Sequence, residues 1–235
     1  MSWLPPRNMR ASWWPRSSAL RSGMSPQQSE RYDAGVDVPA DAFEEPLRAG
    51  RILANLKISW WIAGGWALDL SLGRRSRDHG DVDIAVLRKD QLSLHSSLGH
   101  DWRLMAVDPT VGAETRRVWR PGEGLPPAIH EIHAERGGDH AEFLLEETSG
   151  DEWVYRRDDR IRRPLEQIGA RLPLGLPVIA PDIVLLFKAK APREQDMADL
   201  AMMLPFLQRT QVSWLRSAIG TAHPRSPFLE RLPST

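Results

Sequence analysis

Apolar and polar positions change rhythm several times along the chain, and each rhythm predicts an element. From Pro39 to Lys57, Phe43, Leu47, Ile52, Leu53 and Leu56 recur loosely at helical spacing, with Asp41 placed as an N-cap and Glu44 three residues on. The apolar run Trp60-Trp61-Ile62-Ala63 ends on Gly64-Gly65, as a buried strand does when it meets a tight turn. Ala67 to Leu72 predicts a short helix that Gly73 is placed to stop. Val82, Ile84 and Val86 then alternate with Asp81, Asp83 and Ala85, the period of a strand. Asp90 to Leu98 predicts a helix and Trp102 to Val107 a strand. Ile129 to Ala134 and Ala141 to Leu145 alternate again, with Asp151 to Arg157 as a hairpin partner. After a Pro- and Gly-rich connector, Pro173 to Pro181, three helices are expected: Asp182 to Ala191, Glu194 to Leu204 and Val212 to Gly220.

Strands mixed with helices early, then helices alone, imply an α+β (or α/β) fold, a small mixed-sheet core with a C-terminal helical part. The expected division is a disordered N-terminal extension over 1–37, rich in Pro, Ser, Arg and Gln, a mixed-sheet domain over 38–172, and a helical region over 173–235. Met24 is an alternative start.

Composition narrows the classes of function. In 235 residues, 31 basic side chains face 31 acidic ones, so no global charge favours nucleic acid. The absence of cysteine excludes disulfides, thiolate nucleophiles and Cys-based zinc sites, and fits a cytoplasmic protein. No run approaches the ~18 apolar residues of a membrane span, and the N-terminus lacks the apolar stretch of a signal peptide. A basic, Trp-bearing tail touching a membrane surface or a partner is the alternative for that segment.

Candidate chemistry concentrates between Gly64 and Val86. Asp81 and Asp83, two apart on a strand, emerge from one face with Cα atoms ~6.5–7 Å apart, so their carboxylates can share a hard cation such as Mg²⁺. Gly64 and Gly65 let backbone N–H groups approach phosphate at a helix N-terminus. Arg74, Arg75, Arg77 and His79 crowd the stretch before the acids, where they can neutralise a triphosphate. A Gly-Gly pair, an Asp-x-Asp and an arginine-rich loop are each commonplace; their conjunction favours catalysis. His95, His100, His130, His133 and His140 show no metal-site spacing and receive no role.

The segment GGWALDLSLGRRSRDHGDVDIAV resembles the signature of the polymerase-β-like nucleotidyltransferase superfamily, most closely its aminoglycoside 2''-adenylyltransferase and lincosamide groups. The resemblance rests on Gly64, Gly65, Ala67, Asp69, Gly73, Arg74, Arg77, His79, Asp81 and Asp83, with Ser76 where the family has Thr. It is strong over about Ile52 to Leu87 and weaker afterwards. It implies a Mg²⁺-dependent transfer of a nucleoside monophosphate, by default AMP from ATP, to a hydroxyl of a small molecule, an aminoglycoside-type antibiotic among the acceptors. Asp81 and Asp83 would hold one or two Mg²⁺ ions, with Gly64, Gly65, Arg74, Arg77 and His79 around the nucleotide. The family's third carboxylate, which completes the metal site or acts as base, is matched to Glu142, with Glu146 and Glu147 as rivals. Relatives carry Arg-x-Lys-Asp-x-x-Asp near Arg193, where this chain has Gln195 in the Lys place; Lys188 is matched to the phosphates or base. Asp69 is expected to orient the Gly-Gly turn or a nearby arginine. Two other readings remain: a minimal nucleotidyltransferase antitoxin acting on a protein partner, and a family member that binds nucleotide without catalysis. Oligomeric state is not legible.

Overall fold

The structure is a computed structural model that describes residues 40–112, 115–172 and 174–233. The extension expected over residues 1–37 lies outside the described residues.

The first helix, α1 (Glu44–Leu53), follows a 3-10 turn, Ala40–Phe43, so its N-cap position falls on Phe43 rather than on Asp41. Strand β1 (Trp60–Ile62) runs into α2 (Gly64–Leu72), which starts directly on the glycine pair and stops at Gly73, whose φ of 67° is left-handed. Strand β2 (Asp83–Leu87) and α3 (Gln91–Leu98) come next, then β3 (Arg103–Val107), β4 (Arg116–Val118), β5 (Glu131–Arg136) and the long β6 (Asp139–Ser149). Four short strands complete the set: β7 (Glu152–Val154), β8 (Arg162–Pro164), β9 (Gly169–Arg171) and β10 (Pro177–Ile179). The chain ends in α4 (Pro181–Lys188), α5 (Glu194–Met203), α6 (Arg209–Ala222) and a single turn, α7 (Phe228–Arg231).

The strands form one mixed sheet in the order β4-β3-β5-β6-β2-β1-β10-β9, with β7 paired to β6 and β8 to β7. Two pairings are parallel, β2 with β6 and β1 with β10. The connector after Pro173 is therefore part of the sheet: β10 adds to β1 within it, and β9 and β10 pair across position 173.

Alternation gives the central strands two faces. Ile84, Val86, Phe143, Leu145, Ile132 and Ala134 share one face and are buried, each large side chain contributing about 1.5–3 kcal/mol by leaving water. Asp83, Glu142, Leu144, Glu146, Glu131 and His133 share the other. On α2 every residue from Trp66 to Leu72 is buried, and the helix packs on α4 and α5. Arg163 of β8 donates to buried Asp182 of α4 at 2.6 Å while stacking on Trp214, which ties the sheet's far corner to the helices. Among the described residues no helix is long and apolar enough to cross a membrane.

Candidate active site

The turn between β1 and α2 is shaped by what approaches it. Ala63 N–H donates to the Asp83 carbonyl at 2.8 Å, binding the turn to β2. Gly64 has φ of 58°, and a Cβ there would lie 1.7 Å from Asp83 Oδ2. A Cβ on Gly65 would meet His79 Nδ1 at 2.5 Å and Arg77 Nη2 at 2.6 Å. The two glycines therefore make room for three side chains at the N-terminus of α2, where exposed N–H groups favour an anion.

Asp69, fully buried on α2, holds the loop that carries those side chains. It accepts from Ser76 N–H at 2.9 Å, Ser76 Oγ at 2.5 Å and His79 Nε2 at 2.7 Å. Burial opposes its ionisation, but the bonds from His79 and Ser76 outweigh it and hold the carboxyl below its usual range. The partners of its carboxylate are thus Ser76 and His79 of the loop, not the glycine turn or an arginine side chain. Asp196 and Asp199, three apart on α5, are buried and face inward. Lys188 Nζ lies 2.6 Å from Asp196 and 2.9 Å from Asp199, and Arg77 donates twice to Asp199 at 3.3 Å.

Asp83 and Glu142 are direct cross-strand partners on the parallel β2–β6 pair, and Glu142 is in turn opposite His133 on β5. Asp81 lies just before β2 rather than on it, exposed at the cleft mouth. Glu131, His133 and Glu142 bring ligand atoms within 4.8 Å of one another, and His133 Nε2 is 2.7 Å from Glu131 Oε1. Burial pushes Asp83 up to about 6, with Asp81 and Glu131 adding to the rise and Lys188 opposing it. Burial and then the Asp83 charge push Glu142 up to about 8. Acids so crowded and so short of counter-charge, with oxygen donors throughout, fit a hard cation such as Mg²⁺.

A pH dependence follows. Both carboxyls hold a proton more tightly in the folded chain than in the unfolded one. Their contribution to stability is complete below the ordinary carboxylate range, about 4, and is lost as pH rises through about 6 and about 8. Metal-free protein should lose roughly 2 kcal/mol more than Glu142→Gln between pH 5 and 8.5, or roughly 4–8 °C in Tm. Mg²⁺ should reduce that loss. Melting curves across this range check it; parallel slopes for the two proteins would show that Glu142 is not strained by burial and charge.

One cleft of about 510 Å³ collects Gly64, Gly65, Arg77, His79, Asp81, Asp83, Glu142 and Lys188. Arg74 is the exception among the residues assigned from the sequence. Its N–H closes onto the Asp69 carbonyl at 3.2 Å just after the glycine stop, and its exposed side chain is not part of the cleft wall. The register sets neither rival acid beside Asp83, although Glu146 lines the same cleft. Glu147 meets Arg88 at 2.5 Å, whereas buried Glu146 accepts from Trp153 Nε1 at 2.7 Å and is pushed up to about 7 by burial. Residues without an assignment also reach the cleft: His130, Arg156, Arg157, Phe187 and Lys190 line it, while Glu131 and His133 flank Glu142. The spacing of Glu131 and His133, two apart on an alternating strand, is the signal that would have found that pair.

A glycine-backed helix N-terminus beside paired acids on adjacent strands of a mixed sheet marks a nucleotidyltransferase core. The family profile described as Aminoglycoside-2''-adenylyltransferase matches residues 47–203, and the chain belongs to that family, one of nucleotidyltransferases. A lincosamide resistance protein of Staphylococcus haemolyticus is 36% identical over 33 residues, 14% of this chain and 20% of that protein, so the match spans about a fifth of the curated relative's length. Among solved structures, the lincomycin-bound lincosamide adenylyltransferase LnuA aligns with TM-score 0.46 and 15% identity over 67% of this chain and 93% of its own. The solution structure of the antibiotic-resistance factor ANT(2'')-Ia aligns with TM-score 0.45 and 17% identity over 81% and 94% of the two chains.

Proposed function

We propose that the chain transfers AMP from ATP to a hydroxyl of a small molecule, with Mg²⁺ held by Asp81, Asp83 and Glu142. The observation that carries this reading is the register that sets Asp83 beside Glu142, with Gly64 pressed against the Asp83 carboxylate. The N–H groups at the start of α2 take the phosphate tail, and Arg77, His79 and Lys188 line that end of the cleft. Because Arg77 and Lys188 are already fixed by Asp199 and Asp196, they are held in place before the nucleotide arrives. A bound Mg²⁺ supplies charge neutralisation for the phosphoryl oxygens during transfer. The entering hydroxyl oxygen bonds to the α-phosphorus as the bond to the bridging oxygen breaks; pyrophosphate leaves, and Glu142 takes the hydroxyl proton. On this reading residues 38–172 carry the catalytic strands, and 173–235 add β10 and the helical wall bearing Lys188. The family description puts aminoglycoside hydroxyls first among acceptors to try.

Isothermal titration with a non-hydrolysable ATP analogue tests the proposal. Binding should require Mg²⁺ and weaken more than about tenfold in the Asp81→Asn/Asp83→Asn double variant. Equal binding with and without Mg²⁺, or an unaffected double variant, would remove the assignment.

A further inference from the structure

Glu131 and His133 stand beside the proposed catalytic acids, yet the transfer reading gives them nothing to do. Their placement follows from register. They are two apart on β5 and so share a face. His133 is directly across from Glu142 on the antiparallel β5–β6 pair, and Glu142 is across from Asp83 on the parallel β6–β2 pair. A row of side chains thus runs His133, Glu142, Asp83 over three hydrogen-bonded strands, with Glu131 one step along β5. Glu131, His133 and Glu142 are all half-buried, and one ligand atom from each lies within 4.8 Å of the others. His133 Nε2 is 2.7 Å from Glu131 Oε1.

Charge around the three favours a cation. Deeper acids of the protein have partners: Asp196 and Asp199 meet Lys188, Asp199 also meets Arg77, and Asp69 meets His79. The Glu142 carboxylate, by contrast, makes no hydrogen bond or ion pair among the described residues. Of the charges acting on it, Asp83, Glu131 and Asp81 repel its ionised form, and Arg116 opposes them most weakly. Glu131 has His133 as its ion-pair partner and no lysine or arginine among the described residues.

The donors decide which cation. Mg²⁺ takes oxygen ligands in a near-octahedral shell, whereas an imidazole joined by carboxylates suits zinc and neighbouring divalent transition ions. Zinc sits about 2.0–2.2 Å from such nitrogen and oxygen atoms. Three ligand atoms spread over no more than 4.8 Å therefore close on one ion with shifts of less than about 1 Å. The ion would stand where His133 and Glu131 hydrogen-bond to each other, with the imidazole neutral. The strands fix all three backbones, and three protein ligands leave a fourth position for water. We propose that Glu131, His133 and Glu142 form a site for a zinc-type divalent transition ion, distinct from the hard-cation site at Asp81 and Asp83 and joined to it through the shared Glu142. The ion binds without nucleotide, so this inference goes beyond the transfer reading and does not depend on it.

Metal titration tests it. Chelator-treated full-length protein, free of nucleotide, is titrated with Zn²⁺ in excess Mg²⁺, and separately with Co²⁺ while its visible absorption is followed. Wild type should take up one Zn²⁺ per chain that Mg²⁺ does not displace. Bound Co²⁺ should absorb more strongly than the aqueous ion, as it does when fewer than six ligands surround it. His133→Gln and Glu131→Gln should each weaken Zn²⁺ at least about tenfold and remove the Co²⁺ band. Asp81→Asn should change Zn²⁺ affinity less than about threefold. So should His140→Gln, which removes an exposed histidine from the same face of β6. Melting curves without metal confirm that each variant is folded. Absence of one-to-one Zn²⁺ uptake in excess Mg²⁺, or uptake that survives His133→Gln, overturns the site. A loss in Asp81→Asn as large as in His133→Gln would place the ion on the aspartates instead, and a loss in His140→Gln would leave an adventitious ion only. Failure of Mg²⁺-nucleotide to bind, measured in a separate cell, is the distinct outcome that overturns the transfer reading.

Discussion

Asp83→Asn should lower kcat by at least about 10³-fold, which corresponds to about 4 kcal/mol of lost transition-state stabilisation, and should leave the fold intact. Asn keeps the shape of Asp but offers a neutral amide where the proposed cation needs a carboxylate. Phosphoryl transfer has little covalent chemistry for a protein to perform, so removing the charge that fixes the cation removes most of what the site contributes. Stability should move the other way. Burial pushes Asp83 up to about 6, with two acids adding to the rise, so its ionised form costs stability at neutral pH and Asn relieves that cost. The variant should therefore melt at the same temperature as wild type or higher at pH 8. Pyrophosphate release and a thermal melt measure both quantities on one preparation. Turnover within tenfold of wild type would move the metal assignment away from Asp83, toward the cluster of Glu131, His133 and Glu142.

What could be read from the sequence was local. The glycine pair, the basic loop and the two aspartates lie within 23 consecutive residues, Gly64 to Val86, and the β1–β2 pairing and the Asp69 hydrogen bonds bring them together. Glu142 was harder, because only the parallel register of β2 on β6 separates it from Glu146 and Glu147. Strand β10 was not visible: Pro177, Val178 and Ile179 are too few to display a period, and all three are buried between β1 and β9. Asp196 and Asp199 have the spacing of a solvated helix face. They are buried because Arg77 arrives from 122 residues away and Lys188 from the preceding helix. Arg74 and Arg77 look alike in the sequence, yet only Arg77 meets Asp199, while Arg74 turns outward behind Gly73.

Gly64→Ala should damage both the fold and the site, for separable reasons. The backbone there is left-handed, φ 58°, which costs a non-glycine residue on the order of 1 kcal/mol. The second cost is steric: the new methyl would stand 1.7 Å from Asp83 Oδ2 and 2.8 Å from its Cγ, so the carboxylate must swing away. Asp83 cannot relax through its backbone, because β2 is hydrogen-bonded between β1 and β6 and its carbonyl receives the Ala63 N–H. Together the expected loss is roughly 2–3 kcal/mol, or roughly 4–12 °C in Tm, with Mg²⁺-dependent nucleotide binding weakened more than about tenfold. Gly65→Ala makes a sharper comparison than any distant control. Its methyl would press on the His79 ring and an arginine tip, and its φ is not left-handed, so the nucleotide should be affected more than the fold. Steric conflict with one carboxylate also predicts non-additivity. In an Asp83→Ala background the Gly64→Ala penalty should shrink to the backbone part, about 1 kcal/mol. If the penalties simply add, Asp83 does not occupy the space that Gly64 leaves open, and the close approach at the heart of the proposed site is wrong.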